Sequence, residues 1–127
     1  MKKGLLIPAA VLAAVLAFCL WNSAAMASRS ARWQSRLEEA DRLARSGDWD
    51  AAAAAIGDSY ADWTRHQTYL HCVTGHDAVD SAEAMYHRAL AFAESEEESE
   101  LRAELADLRE QLRRLAEMEE LSARNVL

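Results

Sequence analysis

Proline is nearly missing from this chain: Pro8 is the only one in 127 residues. Glycine is scarce too, confined to Gly4, Gly47, Gly57 and Gly75. A fold of many short strands needs turn residues at close, regular spacing, so this scarcity argues against one. Cysteine is limited to Cys19, in an apolar run, and Cys72, alone in the remainder. No disulfide can therefore staple the remainder internally. Cys72 reads as a small buried thiol, with a bridge between two copies as the alternative. Both lysines, Lys2 and Lys3, stand at the extreme N-terminus. The rest holds 12 arginines against 21 acids, a net charge of −9. Its general field opposes nucleic acid and anionic lipid headgroups as partners. No nucleophile elbow, glycine-rich phosphate loop or paired-cysteine metal motif is present. Catalytic residues and cofactors are not expected.

What is present begins with an address. Lys2 and Lys3 precede the eighteen uncharged residues Gly4 to Trp21. A signal-peptide core is about 7–15 apolar residues and a spanning helix about 20, so the run lies between them. Three readings compete. An uncleaved signal anchor would extend through Asn22–Met26, with Trp21 at the interface. A cleaved signal peptide would use Ala25-Met26-Ala27 as its A-x-A site. A lipoprotein would carry its lipid on Cys19, but Phe18 occupies the place of the small residue that should precede it. The anchor is favoured. Arg29, Arg32 and Arg36 balance the basic head, so charge alone does not orient the span. The usual export geometry puts the N-terminus in the cytoplasm and residues 28–127 outside it.

That remainder is one small domain. Its apolar residues recur at helical spacing. The first helix is expected over Ser30–Ser46, with Trp33, Leu37, Ala40 and Ala44 on its stripe; Trp33 and Trp21 have the alternative of facing the membrane interface. Gly47 ends it and Asp48 caps the next. The second is expected from Trp49 to about Val73. Its seam is Trp49, Ala53, Ile56, Tyr60, Trp63, Gln67 and Leu70, and Gly57 allows a close helix contact or a bend. Gly75-His76 ends it. Asp77 then caps a third helix over Ala78–Ala93, striped by Val79, Ala82, Tyr86, Ala89 and Ala93. Ser95 or Ser99 caps a fourth, which runs to about Ser122 with Leu101, Leu105, Leu108, Leu112, Leu115, Met118 and Leu121 on one stripe. The fold class expected is all-α: a transmembrane or signal-anchor helix, then an antiparallel up-down four-helix bundle.

Two resemblances follow from quotable residues. The corner Ala44-Arg-Ser-Gly-Asp-Trp-Asp-Ala-Ala52 region, with Gly47-Asp48-Trp49 at its centre, is similar to the turn of tetratricopeptide repeats, but no copy recurs at their period. End to end, the chain resembles domain-of-unknown-function family four-three-six-three. The matching pieces are the apolar head, Gly47-Asp48-Trp49, Trp63, His76-Asp77, the leucine-striped last helix and the tail Glu117 to Leu127. This copy departs in being rich in alanine and arginine where lysine and isoleucine are expected. The resemblance implies a membrane-associated all-helical protein of Gram-positive-type bacteria, and carries no catalytic residues over.

Three constellations carry groups capable of binding. His76, Asp77 and Asp80 at the bend form a weak candidate metal site. His66, His71 and His76 are five apart, which does not align them on a helix, so capping and solvation are the favoured roles. The acids from Glu94 to Glu100 lack the ligand spacing and turn glycine of a calcium loop and read as a solvated helix start. Trp49, Tyr60, Trp63 and Tyr69 are candidates for an interaction surface or ligand groove, although aromatics at heptad spacing more often form core. The expectation is a non-enzymatic, membrane-anchored module, held by residues 4–26, that contacts another envelope or membrane protein. The alternative is an extracytoplasmic small-ligand or metal sensor.

Overall fold

The computed structural model describes residues 2–67 and 76–126. Among them are four α-helices and no strand: α1 Lys2–Arg45, α2 Trp49–Arg65, α3 His76–Glu94 and α4 Glu98–Val126. α1 packs on α2 and α4, and α3 packs on the same two, closing a square. Neighbours in the chain run in opposite directions, so the antiparallel four-helix bundle forms as expected. The apolar head is not a helix of its own. It is the N-terminal part of α1, which runs 44 residues without interruption and includes Pro8 in its early turns. At 1.5 Å per residue that is about 66 Å.

The inward stripes make one core. α1 supplies Met26, Trp33, Leu37, Ala40 and Ala44; α3 supplies Val79, Ala82, Tyr86, Ala89 and Ala93. α4 supplies Leu101, Leu105, Leu108, Leu112 and Leu115, all buried. Each buried leucine is worth about 1.5–3 kcal/mol of transfer free energy. Met118 and Leu121, expected on the same stripe, are exposed at 39% and 55%. α2 turns a slightly different face inward from the one its heptad predicts: Ala52, Ile56, Ser59 and Trp63 are buried. Trp49 and Tyr60 pack at the edge, half-buried. A buried serine explains the shift, because its hydroxyl finds two partners inside.

The helix ends follow local chemistry. Gly47, at φ +82°, takes the left-handed conformation that closes α1. Its N–H donates to Ala44 and that of Asp48 to Leu43, the double bond pattern of a Schellman end. The Asp48 side chain then accepts from the Ala51 N–H at 3.2 Å and caps α2. α3 ends in the same pattern, Glu96 donating to Ala93 and Glu97 to Phe92, with Glu96 at φ +54° where glycine would sit without strain. Neither Ser95 nor Ser99 caps α4. Ser95 donates its N–H to Ala91 and completes α3, and Ser99 lies inside the first turn of α4. α2 stops at Arg65, earlier than its apolar pattern suggests. There the Thr64 hydroxyl bonds the Tyr60 carbonyl and His66 Nδ1 meets the Asp62 carbonyl, so side chains compete for the helical ladder. Leu70, Cys72 and Gly75, to which the sequence assigned roles, lie outside the described residues, as do Tyr69 and His71. Gly57 makes no close approach: nothing lies within 4 Å of where a Cβ would be.

Candidate functional site

Of the aromatic candidates, Trp63 is core and Tyr60 packs half-buried beside it. Trp63 is fully buried between two tyrosines, its ring 5.4 Å from Tyr86 and 6.2 Å from Tyr60. Tyr60 also meets Tyr86 edge-on at 5.3 Å and His87 at 5.3 Å. The Trp63 indole N–H has no hydrogen-bond partner among the described residues. Trp49 stands apart, half-buried at the far corner, and Tyr69 lies outside the described residues. Burial pushes the Tyr86 hydroxyl well above its ordinary pKa, opposed by its bond to Ser59. Burial and then the Glu83 carboxylate raise that of Tyr60.

Behind these rings runs a buried polar chain that the sequence did not disclose. Ser59 Oγ donates to the Trp33 carbonyl at 3.2 Å and lies 2.8 Å from the Tyr86 hydroxyl. With the serine proton committed to the carbonyl, Tyr86 donates to Ser59. The Trp33 indole N–H donates to Asp62 at 2.6 Å, and Arg32 and Arg65 flank that carboxylate. Trp33 is thus a core residue joining α1 to α2, and its alternative placement at the membrane interface is excluded. Ser30, also buried, donates to the Leu112 carbonyl of α4 at 3.2 Å. Ser30 and Ser59 fall on the four-three spacing of their buried stripes, but a polar residue at such a position is not read as core, and the carbonyl each one meets lies on another helix.

His76, Asp77 and Asp80 all lie exposed at the start of α3. Asp77 is one residue inside that helix, in its first turn, and not ahead of it as a cap. There its charge still suits the positive end of the helix. Among the described residues no group of three or more His, Cys, Asp or Glu side chains is placed to hold a metal ion. The acids Glu94 and Glu96 to Glu98 and Glu100 are likewise exposed, spread over the end of α3, the turn and the start of α4.

The end that carries the apolar head is different in kind. α1 is long and apolar enough to cross a membrane by length and composition, and the apolar window that qualifies it has no burial in the bundle. Leu5, Leu6, Ile7, Leu12, Phe18 and Trp21 are each 62% or more exposed. Trp21 sits where the run ends, and Asn22 next to it donates to Glu119 of α4 at 3.3 Å. Glu119 is only 3% exposed. This bond places α4 beside α1 down to the edge of the apolar head. Between the same pair lies a groove of about 490 Å³, lined by small and polar residues of α1 from Leu20 to Gln34 and by Arg113, Ala116, Glu117 and Glu120 of α4.

Comparison with family models gives a match over residues 20–126 to the family described as "Domain of unknown function (DUF4363)". The chain belongs to this family. It is the family that the Gly47-Asp48-Trp49 corner and the Glu117 to Leu127 tail resemble. The DUF4363 match takes in Asn22, Glu119, the groove and the Ser59–Tyr86 chain. Neither the curated proteins nor the solved structures contain a significant match to the chain.

Proposed function

We propose that this chain is a membrane-anchored, non-enzymatic helical module, with its N-terminus cytoplasmic, that contacts another envelope or membrane protein through the acidic bundle it holds outside the cytoplasm. The observation that carries the reading is the continuity of α1. The apolar head and the first bundle helix are one element, unbroken across Ala27-Ser28. An apolar surface of this extent, left outside the core, requires a bilayer or an apolar partner. The head from Gly4 to Trp21 spans about 27 Å as a helix, close to the ~30 Å hydrocarbon thickness. Anchor and bundle share a helix, so a partner's force on one reaches the other without a flexible linker.

Apart from Met118 and Leu121, the bundle's apolar stripes are taken up by its own core, and ion pairs run across its surface. Arg88 with Glu104, Arg102 with Asp41 and Arg109 with Glu38 stitch neighbouring helices at the surface. Pairs this exposed contribute little stability. The remaining acidic excess is available to a basic partner surface, and steers its approach. The test is carbonate extraction of native membranes, followed by crosslinking and identification of what the bundle holds. Retention with one recurrent partner supports the reading. Release by carbonate, or crosslinks that never recur, opposes it.

A further inference from the structure

Exposed apolar side chains gather at one end of the molecule. Among the described residues, the large hydrophobics that stand exposed are those of the head, from Leu5 to Trp21, and two on α4, Met118 and Leu121. The pairing of α1 with α4 makes these two groups neighbours. The two helices run antiparallel: Ser30 bonds the Leu112 carbonyl, Asn22 bonds Glu119, and Leu20 and Glu120 line one groove. Glu120 is therefore level with Trp21, where the apolar run ends. α4 does not stop there but continues to Val126. From Glu120 to Val126 is about 9 Å of helix, alongside residues 15 to 21 of the head. Charge changes at the same level. Acids recur along α4 from Glu98 to Glu120, whereas Leu121 to Val126 contains none, and Arg124 is its single charge.

We propose that the end of α4, Leu121 to Val126, enters the outer interface of the bilayer that holds the head, so that the bundle rests in the lipid headgroups. This rests on the anchoring proposed above. Position selects lipid as the occupant: the end of α4 lies beside the apolar run itself, inside the slab that the bilayer fills around the head. Depth follows from two lengths. A bilayer exceeds its hydrocarbon core by about 10–15 Å, so each headgroup layer is about 5–7 Å thick. With Trp21 in that layer, as interfacial tryptophans are, a helix end about 9 Å further in reaches the top of the acyl chains. Deeper entry is opposed by the open carbonyls of the helix end and by the charge of Arg124, whose sign suits lipid phosphates. Covering Leu121 there adds the hydrophobic gain that water denies it.

The test uses the full chain in phosphatidylcholine vesicles, with Cys19→Ala and Cys72→Ala removing the native thiols. Single cysteines from Val11→Cys, Ser95→Cys, Leu121→Cys or Val126→Cys each carry an environment-sensitive fluorophore, with Ala123→Cys as a second site near the end of α4. Helicity by circular dichroism checks that each labelled chain is folded. The quenchers are iodide, equilibrated on both sides of the vesicle wall, and phosphatidylcholine spin-labelled on its acyl chain. Iodide quenching should fall from Ser95 to Leu121 and again to Val126, several-fold in all, while quenching by the labelled lipid rises in the same order. A helix end in water gives the reverse, with Val126 at least as open to iodide as Leu121, and overturns the proposal. A Val126 label shielded from both quenchers is covered by protein, and overturns lipid as the occupant. The Val11 label separates this proposal from the anchoring. No lipid quenching at Val11 refutes the anchoring and the entry of α4 with it, whereas lipid quenching at Val11 with an iodide-open Val126 refutes only the entry of α4.

Discussion

Removing Ser59 and removing the Tyr86 hydroxyl should have unequal effects, and the inequality is set by which group is left without a partner. Ser59 is fully buried, donates to the Trp33 carbonyl at 3.2 Å and accepts from Tyr86 at 2.8 Å. Tyr86→Phe leaves the serine still bonded to that carbonyl. Its loss is that of one satisfied hydrogen bond, ~0.5–1.5 kcal/mol. Ser59→Ala strands the Tyr86 hydroxyl, which is fully buried. A stranded buried polar group costs ~1–3 kcal/mol, and the Trp33 carbonyl loses its side-chain donor as well. The double variant removes both ends of the tyrosine–serine bond and should be destabilised by clearly less than the sum of the two single changes, with a coupling of ~1 kcal/mol. The assay is guanidinium unfolding of the full chain in detergent micelles, followed by circular dichroism. Strictly additive effects, or Tyr86→Phe costing more than Ser59→Ala, would refute the proposed bonding order.

Other outcomes follow from single positions. Leu108→Ala empties a fully buried site on the α4 stripe and should cost ~2–5 kcal/mol, seen as a melting temperature lower by roughly 10 °C or more; an unchanged melt would remove α4 from the core. Gly57→Ala should stabilise by up to ~1 kcal/mol, since the helix interior there has open space, and Glu96→Gly by ~0.5–1 kcal/mol through release of a left-handed residue; loss of stability in either variant would contradict the geometry given for it. The folded chain holds Tyr86 protonated above the pH near 10 at which an unfolded tyrosine ionises. The unfolded state therefore binds fewer protons there, and stability should be intact below about pH 10 and fall above it, by up to ~1.4 kcal/mol per pH unit. Tyr86→Phe should flatten that fall, and an identical alkaline slope in wild type and variant would count against it.

Much of the bundle was legible because its signals are local and periodic. The α4 leucines, the α3 stripe and the Gly47-Asp48 corner each follow from spacing or from one residue's conformational freedom. The departures lie where one side chain outweighs a period. Ser59 and Ser30 are buried because a carbonyl on a neighbouring helix accepts their protons, which no pattern within α2 or α1 announces. α2 stops early because Thr64 and His66 bond its own carbonyls. Trp63, one of the groove candidates, is core because Tyr86 of α3 packs against it, a pairing between helices that spacing within α2 cannot show. The continuity of α1 was obscured by treating the apolar head and the first bundle helix as separate elements, although no breaker lies between them.

An anchor requires that the head stay joined to the bundle and hold it at a membrane. The most direct measurement is the intact mass of the native protein, taken from carbonate-washed membranes and from the soluble fraction of the same cells. The 14.1 kDa chain, head included, is expected in the washed membranes. A soluble protein beginning at Ser28, with nothing retained in the membranes, would contradict it.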